Sequence, residues 1–183
     1  MKQLVFLLEE PSAKAMLQGI LPRIIPADIQ VHYITCQGKQ DLQKRCHTYI
    51  KHWQQTNTKF IVLCDQDVGD CQPLKQTLIA QCQQSGKTDI LVRIACRELE
   101  TFYLGDLQAV EQAMGTKNLA KLQQKAKYRD PDKLQNPAKL LKELAPNYQK
   151  VLGSRTIAPY LTPQKNTSQS FRALVAGILR QTQ

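Results

Sequence analysis

The chain has 183 residues, of which 42% are hydrophobic, so it is long enough for one complete domain or for one domain with an appended piece. No window approaches the run of about 18 apolar residues that a membrane span requires. The six cysteines form no Cys-x-x-Cys pair and the three histidines have no zinc-like spacing, which argues against a zinc site and against a disulfide framework. We therefore expect a cytoplasmic protein with free thiols, without zinc and without a membrane segment.

The net charge of +10 is unevenly distributed along the chain. Residues 1–114 carry 12 basic and 12 acidic side chains, whereas residues 115–183 carry 13 basic and three acidic ones. A basic region of this kind is typical of a protein that binds a polyanion such as nucleic acid, although a solvated basic surface that only favours solubility would give the same count. The candidate nucleic-acid contacts are Lys117, Lys121, Lys125, Lys127 and Arg129.

Four apolar runs predict four strands in the first half of the chain, at residues 3–8, 29–35, 60–64 and 89–95. The segments between them have helical periodicity, and these helices are predicted to begin near Ser12, at Lys39 and near Pro73. Strands that alternate with helices predict a parallel sheet with helices on its faces.

Beyond residue 96 we find no convincing strand. Helical patterns recur at residues 98–104, 107–114, 116–126, 137–144 and 168–179, separated by proline-containing turns. The sequence therefore predicts an α/β core over residues 1–105 and a basic helical extension over residues 106–183, packed together as a single structural unit.

Two aspartates follow the third predicted strand. Asp65 and Asp67 lie where open α/β sheets place their ligands, beyond the carboxyl end of a strand. Two carboxylates one residue apart can converge on a hard divalent cation such as Mg²⁺. Helix caps and solvated turns give the same pattern, so the pair alone leaves both interpretations open.

Further acids follow the first and fourth strands. Glu9 and Glu10 come directly after the first strand, and Glu100 follows the fourth. Because the carboxyl ends of parallel strands meet at one edge of a sheet, these acids are predicted to share a cleft and to bind a metal ion. The alternative is that Arg97 or Lys14 neutralises them without a metal.

The order of these motifs resembles the Toprim domain of topoisomerases, primases and overcoming-lysogenization-defect-type nucleases. More closely, the chain is similar to a Toprim-like family called domain-of-unknown-function family 4276. The segments that carry the resemblance are Leu8-Glu9-Glu10-Pro11-Ser12, Asp65-Gln66-Asp67, Asp70-Cys71, Leu74-Lys75, Arg97-Glu98-Leu99-Glu100 and Asn166-Thr167-Ser168-Gln169-Ser170-Phe171. The resemblance covers nearly the whole chain. It implies a Toprim-like (Rossmann-like) α/β fold, with a four-stranded, mainly parallel sheet flanked by helices and a basic, all-helical C-terminal extension.

The resemblance also implies a metal-dependent nuclease with Mg²⁺ or Mn²⁺ as cofactor and no nucleotide cofactor. Glu9, Asp65 and Asp67 would be the catalytic residues, with Glu9 either a metal ligand or a general base. Asp70 would be a further metal ligand or a supporting group, and Glu100 would support the site.

The supporting residues extend beyond the acids. Arg97 and Lys14, together with the basic C-terminal residues, are candidates for phosphate contacts. Toprim-type members commonly have glycine after the first glutamate, whereas this chain has Glu10, which adds charge and bulk at a place where glycine would permit a tight turn.

Three functions are compatible with these features. The first is a nuclease that acts alone. The second is a nuclease effector of a defence or toxin-like system that works with an ATPase partner, because related families often occur with an ATPase and this chain has no Gly-x-x-x-x-Gly-Lys-[Ser/Thr] loop. The third is a non-catalytic module that binds metal and nucleic acid or another protein.

Overall fold

A four-stranded parallel sheet forms the centre of the protein. The computed structural model describes residues 2–183. The strands are β1 (Gln3–Leu8), β2 (Gln30–Thr35), β3 (Thr58–Asp65) and β4 (Ile90–Ala95). They lie in the order β2-β1-β3-β4, and every neighbouring pair is parallel. The predicted α/β sheet is therefore confirmed, and it is parallel throughout.

Helices cover both faces of this sheet. Those within residues 2–183 are α1 (Pro11–Ile20), α2 (Lys39–Lys51), α3 (Cys71–Gln83), α4 (Glu100–Leu104), α5 (Leu107–Met114), α6 (Pro137–Leu144), α7 (Lys150–Ile157) and α8 (Gln169–Thr182). None of them is both long and apolar enough to cross a membrane.

Two hydrophobic layers hold the helices to the sheet. Every side chain of β1 is buried, and successive side chains point to opposite faces, as a strand covered on both sides requires. Leu4, Phe6 and Leu8 belong to the layer that contains α1 and the C-terminal helices α4–α8. Val5 and Leu7 belong to the second layer, which contains α2 and α3. The division of the chain between residues 105 and 106 stays a prediction.

The segment 116–126 differs from the prediction of an α-helix. It forms short 3₁₀ turns at Ala120–Gln124 and Ala126–Tyr128. Gln123 explains the irregular path, because its side-chain amide donates to the carbonyl oxygens of Leu104 and Tyr128. The bond to Leu104 fixes the segment against α4, and neither bond is specified by helical periodicity. The sequence also failed to predict α7.

The segment 166–171 fixes the start of α8 beside the sheet edge. Asn166 donates from Nδ2 to the carbonyl oxygen of Phe102 at 2.7 Å, and Ser168 caps α8 by accepting from the N–H of Phe171. Gly105 is required here, because a Cβ at this position would collide with the Asn166 side chain. The polar residues of this segment therefore contribute to chain packing around α4.

Candidate active site

Glu9 and Asp65 meet at the carboxyl edge of the sheet. Leu8 of β1 pairs with Leu63 of β3, so the two acids directly beyond this register come from neighbouring strands. Glu9 accepts hydrogen bonds through Oε2 from the backbone N–H of Asp65 at 3.0 Å and from the Cys64 thiol at 3.1 Å. Each acid is only 8% exposed. The sequence analysis predicted that these two strand ends bring their acids together. Glu9 and Asp65 lie together in the structure.

Glu100 adds a third carboxylate from the first turn of α4. Its side chain has no exposed surface. Its Oε1 accepts a hydrogen bond from the Tyr148 hydroxyl at 2.9 Å, whereas Oε2 has no hydrogen-bond partner within residues 2–183. Gly153 makes room for the Tyr148 ring, since a Cβ at that position would collide with it. A buried carboxylate oxygen without a donor is costly, so this atom is poised to accept a ligand.

Burial and mutual repulsion act on these acids together. Burial raises the pKa of Asp65 well above its ordinary value, and the nearby charges of Glu9 and Glu100 raise it further, while Lys150 and the backbone N–H of Leu99 act in the opposite direction. Burial also raises the pKa of Glu100, against the lowering effect of Lys150 and Tyr148. The positive charge near Asp65 and Glu100 is therefore too small to offset their burial. A bound cation would supply the missing charge.

Lys150 places a positive charge near Asp65 and Glu100. Its ammonium lies 2.6 Å from Oε2 of Glu10. Burial acts to lower the pKa of Lys150, but its bond to Glu10 and the charges of Glu100, Glu10 and Asp65 outweigh burial and raise it. The sequence analysis missed Lys150 and Tyr148, because both come from the region around α7 that no pattern placed beside the acids.

Asp67 has a different environment. Its backbone is left-handed, with φ of 57°, and its side chain is 51% exposed. Its Oδ2 accepts from the Lys39 ammonium at 2.6 Å. Within residues 2–183, the structure contains no group of three or more His, Cys, Asp or Glu side chains arranged to hold a metal ion. The direct partner of the Asp67 carboxylate is therefore Lys39, and the joining of Asp67 with Glu9 and Asp65 around a metal ion stays a prediction.

The remaining predicted site residues have separate roles. Asp70 caps α3 by accepting from the backbone N–H of Gln72 at 2.9 Å. The Lys14 ammonium lies 5.9 Å from the centre of the Tyr33 ring. Arg97 is left-handed, with φ of 63°, and its side chain is half-buried beside Asp67 in a depression of about 130 Å³. Of these residues, only Arg97 lies beside one of the predicted aspartates.

The basic residues form an exposed surface near this edge. All five candidate contacts are exposed, and none forms an ion pair among the residues that the structure describes. Asn136 and Gln135 line both the depression next to Arg97 and a second one of about 290 Å³ that also contains Lys127. Two adjoining depressions therefore lie between Asp67 and Lys127.

The residues at this edge fit a hard divalent cation. Mg²⁺ binds through oxygen, commonly with one or two protein carboxylates completed by water and phosphate. Glu9 and Asp65 offer two carboxylates, and the unpartnered Oε2 of Glu100 offers a further oxygen. The donor set contains oxygen and no imidazole, which favours Mg²⁺ or Mn²⁺ over softer metals.

The parallel sheet with acids at its carboxyl edge defines an α/β protein of the class that binds ligands beyond its strand ends. The chain belongs to the family described as "Domain of unknown function (DUF4276)", whose sequence profile matches residues 8–179. Its structure is similar to that of the C-terminal region of the Burkholderia pseudomallei OLD protein, with a TM-score of 0.56 and 16% sequence identity over 98% of each chain. This likeness shows the fold, and the resemblance that the sequence indicated is confirmed. The chain matches no curated protein.

Proposed function

We propose that the protein is a Mg²⁺- or Mn²⁺-dependent phosphodiesterase that cleaves nucleic acid. The observation that carries the proposal is that the buried acids Glu9 and Asp65 meet at one sheet edge, where the charges of Glu9 and of the buried Glu100 raise the pKa of Asp65. Buried acids with perturbed pKa values in a cleft are typical of functional sites, and structural ion pairs alone do not supply an unpartnered carboxylate oxygen.

Each group has a distinct role in this proposal. Glu9 and Asp65 hold the divalent ion, and Glu100 supports it from α4. When bound, the ion supplies Lewis-acid polarisation of the phosphodiester and stabilises charge on its oxygens. Lys150 balances the carboxylates from the side of Glu10, and the exposed basic segment attracts the phosphate backbone.

Cleavage assays on purified protein test this function. Single- and double-stranded DNA and RNA are incubated with Mg²⁺ or Mn²⁺, and the same reactions are repeated with EDTA. We expect metal-dependent cleavage that falls at least about 1000-fold in Asp65→Asn and Glu9→Gln, because the metal supplies several kcal/mol of transition-state stabilisation. Asp28→Asn is the matched control, since Asp28 is exposed and has no ion-pair partner among residues 2–183. Full activity in Asp65→Asn would rule the site out.

A second function is favoured by the position of Asp67. Because Asp67 pairs with Lys39, and residues 2–183 contain no group of three or more acidic, histidine or cysteine side chains arranged to hold a metal ion, the chain also suits a module that binds metal and nucleic acid without hydrolysis. Salt-dependent binding of DNA that survives Asp65→Asn, with no cleavage under any condition, would support this alternative. An ATPase partner is a further proposal for the nuclease: cleavage that appears only when the partner and ATP are added would support it.

A further inference from the structure

Lys39 stands between two of the acids at the sheet edge. It is the first residue of α2 and follows Gly38, whose backbone N–H donates to the carbonyl oxygen of Glu9 at 3.1 Å. Its ammonium contacts Oδ2 of Asp67 at 2.6 Å and the carbonyl oxygen of Gln66 at 3.1 Å. The start of α2 is therefore tied to the backbone of Glu9 while its lysine holds the loop after β3.

The pKa of Lys39 also indicates that its ammonium interacts with the acids at the sheet edge. Burial acts to lower the pKa of Lys39, but the hydrogen bond to Asp67 and the charges of Asp67 and Glu9 outweigh burial and raise it. The lysine side chain is only 23% exposed, so these interactions are partly shielded from water. The ammonium thus faces both Glu9 and Asp67 at the edge where the acids gather.

The backbone of Asp67 is fixed independently of its side chain. Its N–H donates to the carbonyl oxygen of Arg97 at 2.7 Å, and the preceding Gln66 donates from its N–H to the carbonyl oxygen of Ala95 at 2.9 Å. Arg97 in turn donates from its N–H to Oε1 of Gln66 at 3.1 Å. Because the loop is held through the backbone, the direction of the Asp67 carboxylate is decided by side-chain rotation and by the partner it finds.

We propose that Lys39 is a positioning residue that holds the Asp67 carboxylate as its own counter-ion and that a divalent cation must displace it to recruit Asp67. This inference rests on the proposed metal centre. An ammonium carries one charge, whereas Mg²⁺ and Mn²⁺ carry two and bind carboxylates closely, so the divalent ion competes for Asp67. The competition lowers the affinity of the edge for any cation and excludes monovalent ions most strongly.

Binding of Mn²⁺, measured by the electron paramagnetic resonance signal of the free ion and without substrate, tests this role. Lys39→Met is expected to bind Mn²⁺ roughly tenfold more tightly than the parent, because the substitution removes a positive charge that repels the metal ion. Lys39→Arg keeps the charge and is expected to keep the parent affinity. Lys44→Met, at an exposed position on the same helix, is the matched control and is expected to change nothing.

Measuring Lys39→Met in the Asp67→Asn variant tests whether Asp67 is the group that Lys39 holds. In Asp67→Asn, the further change Lys39→Met is expected to give less than half of the gain in affinity that it gives in the parent. Equal Mn²⁺ affinity of the parent and Lys39→Met, with unchanged melting temperatures, would overturn the role of Lys39 and leave the metal centre standing. Failure of every variant to bind Mn²⁺ would overturn the metal centre itself and the inference with it.

Discussion

The acid-rich sheet edge has two halves that neutralise their carboxylates differently. In the inner half, Glu9, Asp65 and Glu100 are buried, and Lys150 is a nearby cation for Asp65 and Glu100. In the outer half, Asp67 is half-exposed and has Lys39 as its own partner.

The difference follows from solvent access. A buried carboxylate without its own cation is unstable when ionised, whereas an exposed ion pair changes the free energy of folding little because water screens it. In the inner half, the buried negative charges destabilise the folded protein, and a divalent ion can offset them. In the outer half, Lys39 holds the Asp67 carboxylate with little effect on the free energy of folding. Changes in either half should reveal this contrast.

Lys150→Met should have the largest effect on stability. Removing this ammonium leaves Glu10, Glu100 and Asp65 without their nearest positive charge. The free energy of unfolding, measured by urea denaturation at pH 7 in EDTA, is expected to fall by about 1–2 kcal/mol, a value discounted because the lysine side chain is 43% exposed. Lys142→Met, at an exposed position of α6, is the control, and an equal loss in both variants would contradict the inner half as described. Added Mn²⁺ should reduce the difference in unfolding free energy, because the variant has one positive charge fewer near the acids and should bind the ion more tightly than the parent.

The second largest expected effect is a change in the pH dependence of the melting temperature, caused by Asp65→Asn. Because the pKa of Asp65 is raised in the folded state, the folded protein keeps this proton to a higher pH than the unfolded chain does. The stabilisation from the protonated carboxyl is therefore complete below the ordinary pKa of 3.8 and is lost as the pH rises through the folded-state pKa.

Asparagine does not ionise, so the melting temperature of Asp65→Asn should exceed that of the parent by an amount that grows as the pH rises above 3.8 and becomes constant above the folded-state pKa. The expected gain in EDTA is about 2–4 °C, which corresponds to about 1 kcal/mol for a domain of this size. Thermal unfolding followed by circular dichroism measures it. A difference that stays constant with pH would mean that Asp65 is not the group responsible.

The Lys39–Asp67 pair should give the smallest effect on stability. A double-mutant cycle with Lys39→Met and Asp67→Asn is expected to yield a coupling energy of about 0.5 kcal/mol in unfolding, because Asp67 is half-exposed. A coupling energy above about 2 kcal/mol would place the pair among the structural interactions and would remove the contrast between the two halves.

Local pattern explains how much of the edge was predictable. The apolar run before Asp65 indicated a doubly covered strand, and parallel strands bring their ends together, so the meeting of Glu9 with Asp65 followed from the sequence. The helical prediction at 116–126 was wrong because bonds from Gln123 to distant carbonyl groups decide the path of that segment.

By itself, the sequence determined the strands, their parallel arrangement, the family and the edge at which acids gather, because these depend on periodicity and on residue order. Only the tertiary structure decided which cation faces which acid. Lys150 and Tyr148 reach Glu10 and Glu100 from a distant part of the chain, and the left-handed backbone of Asp67 presents its carboxylate to Lys39. Such pairings depend on packing between elements far apart in the chain and on one turn conformation, neither of which has a signature in local sequence.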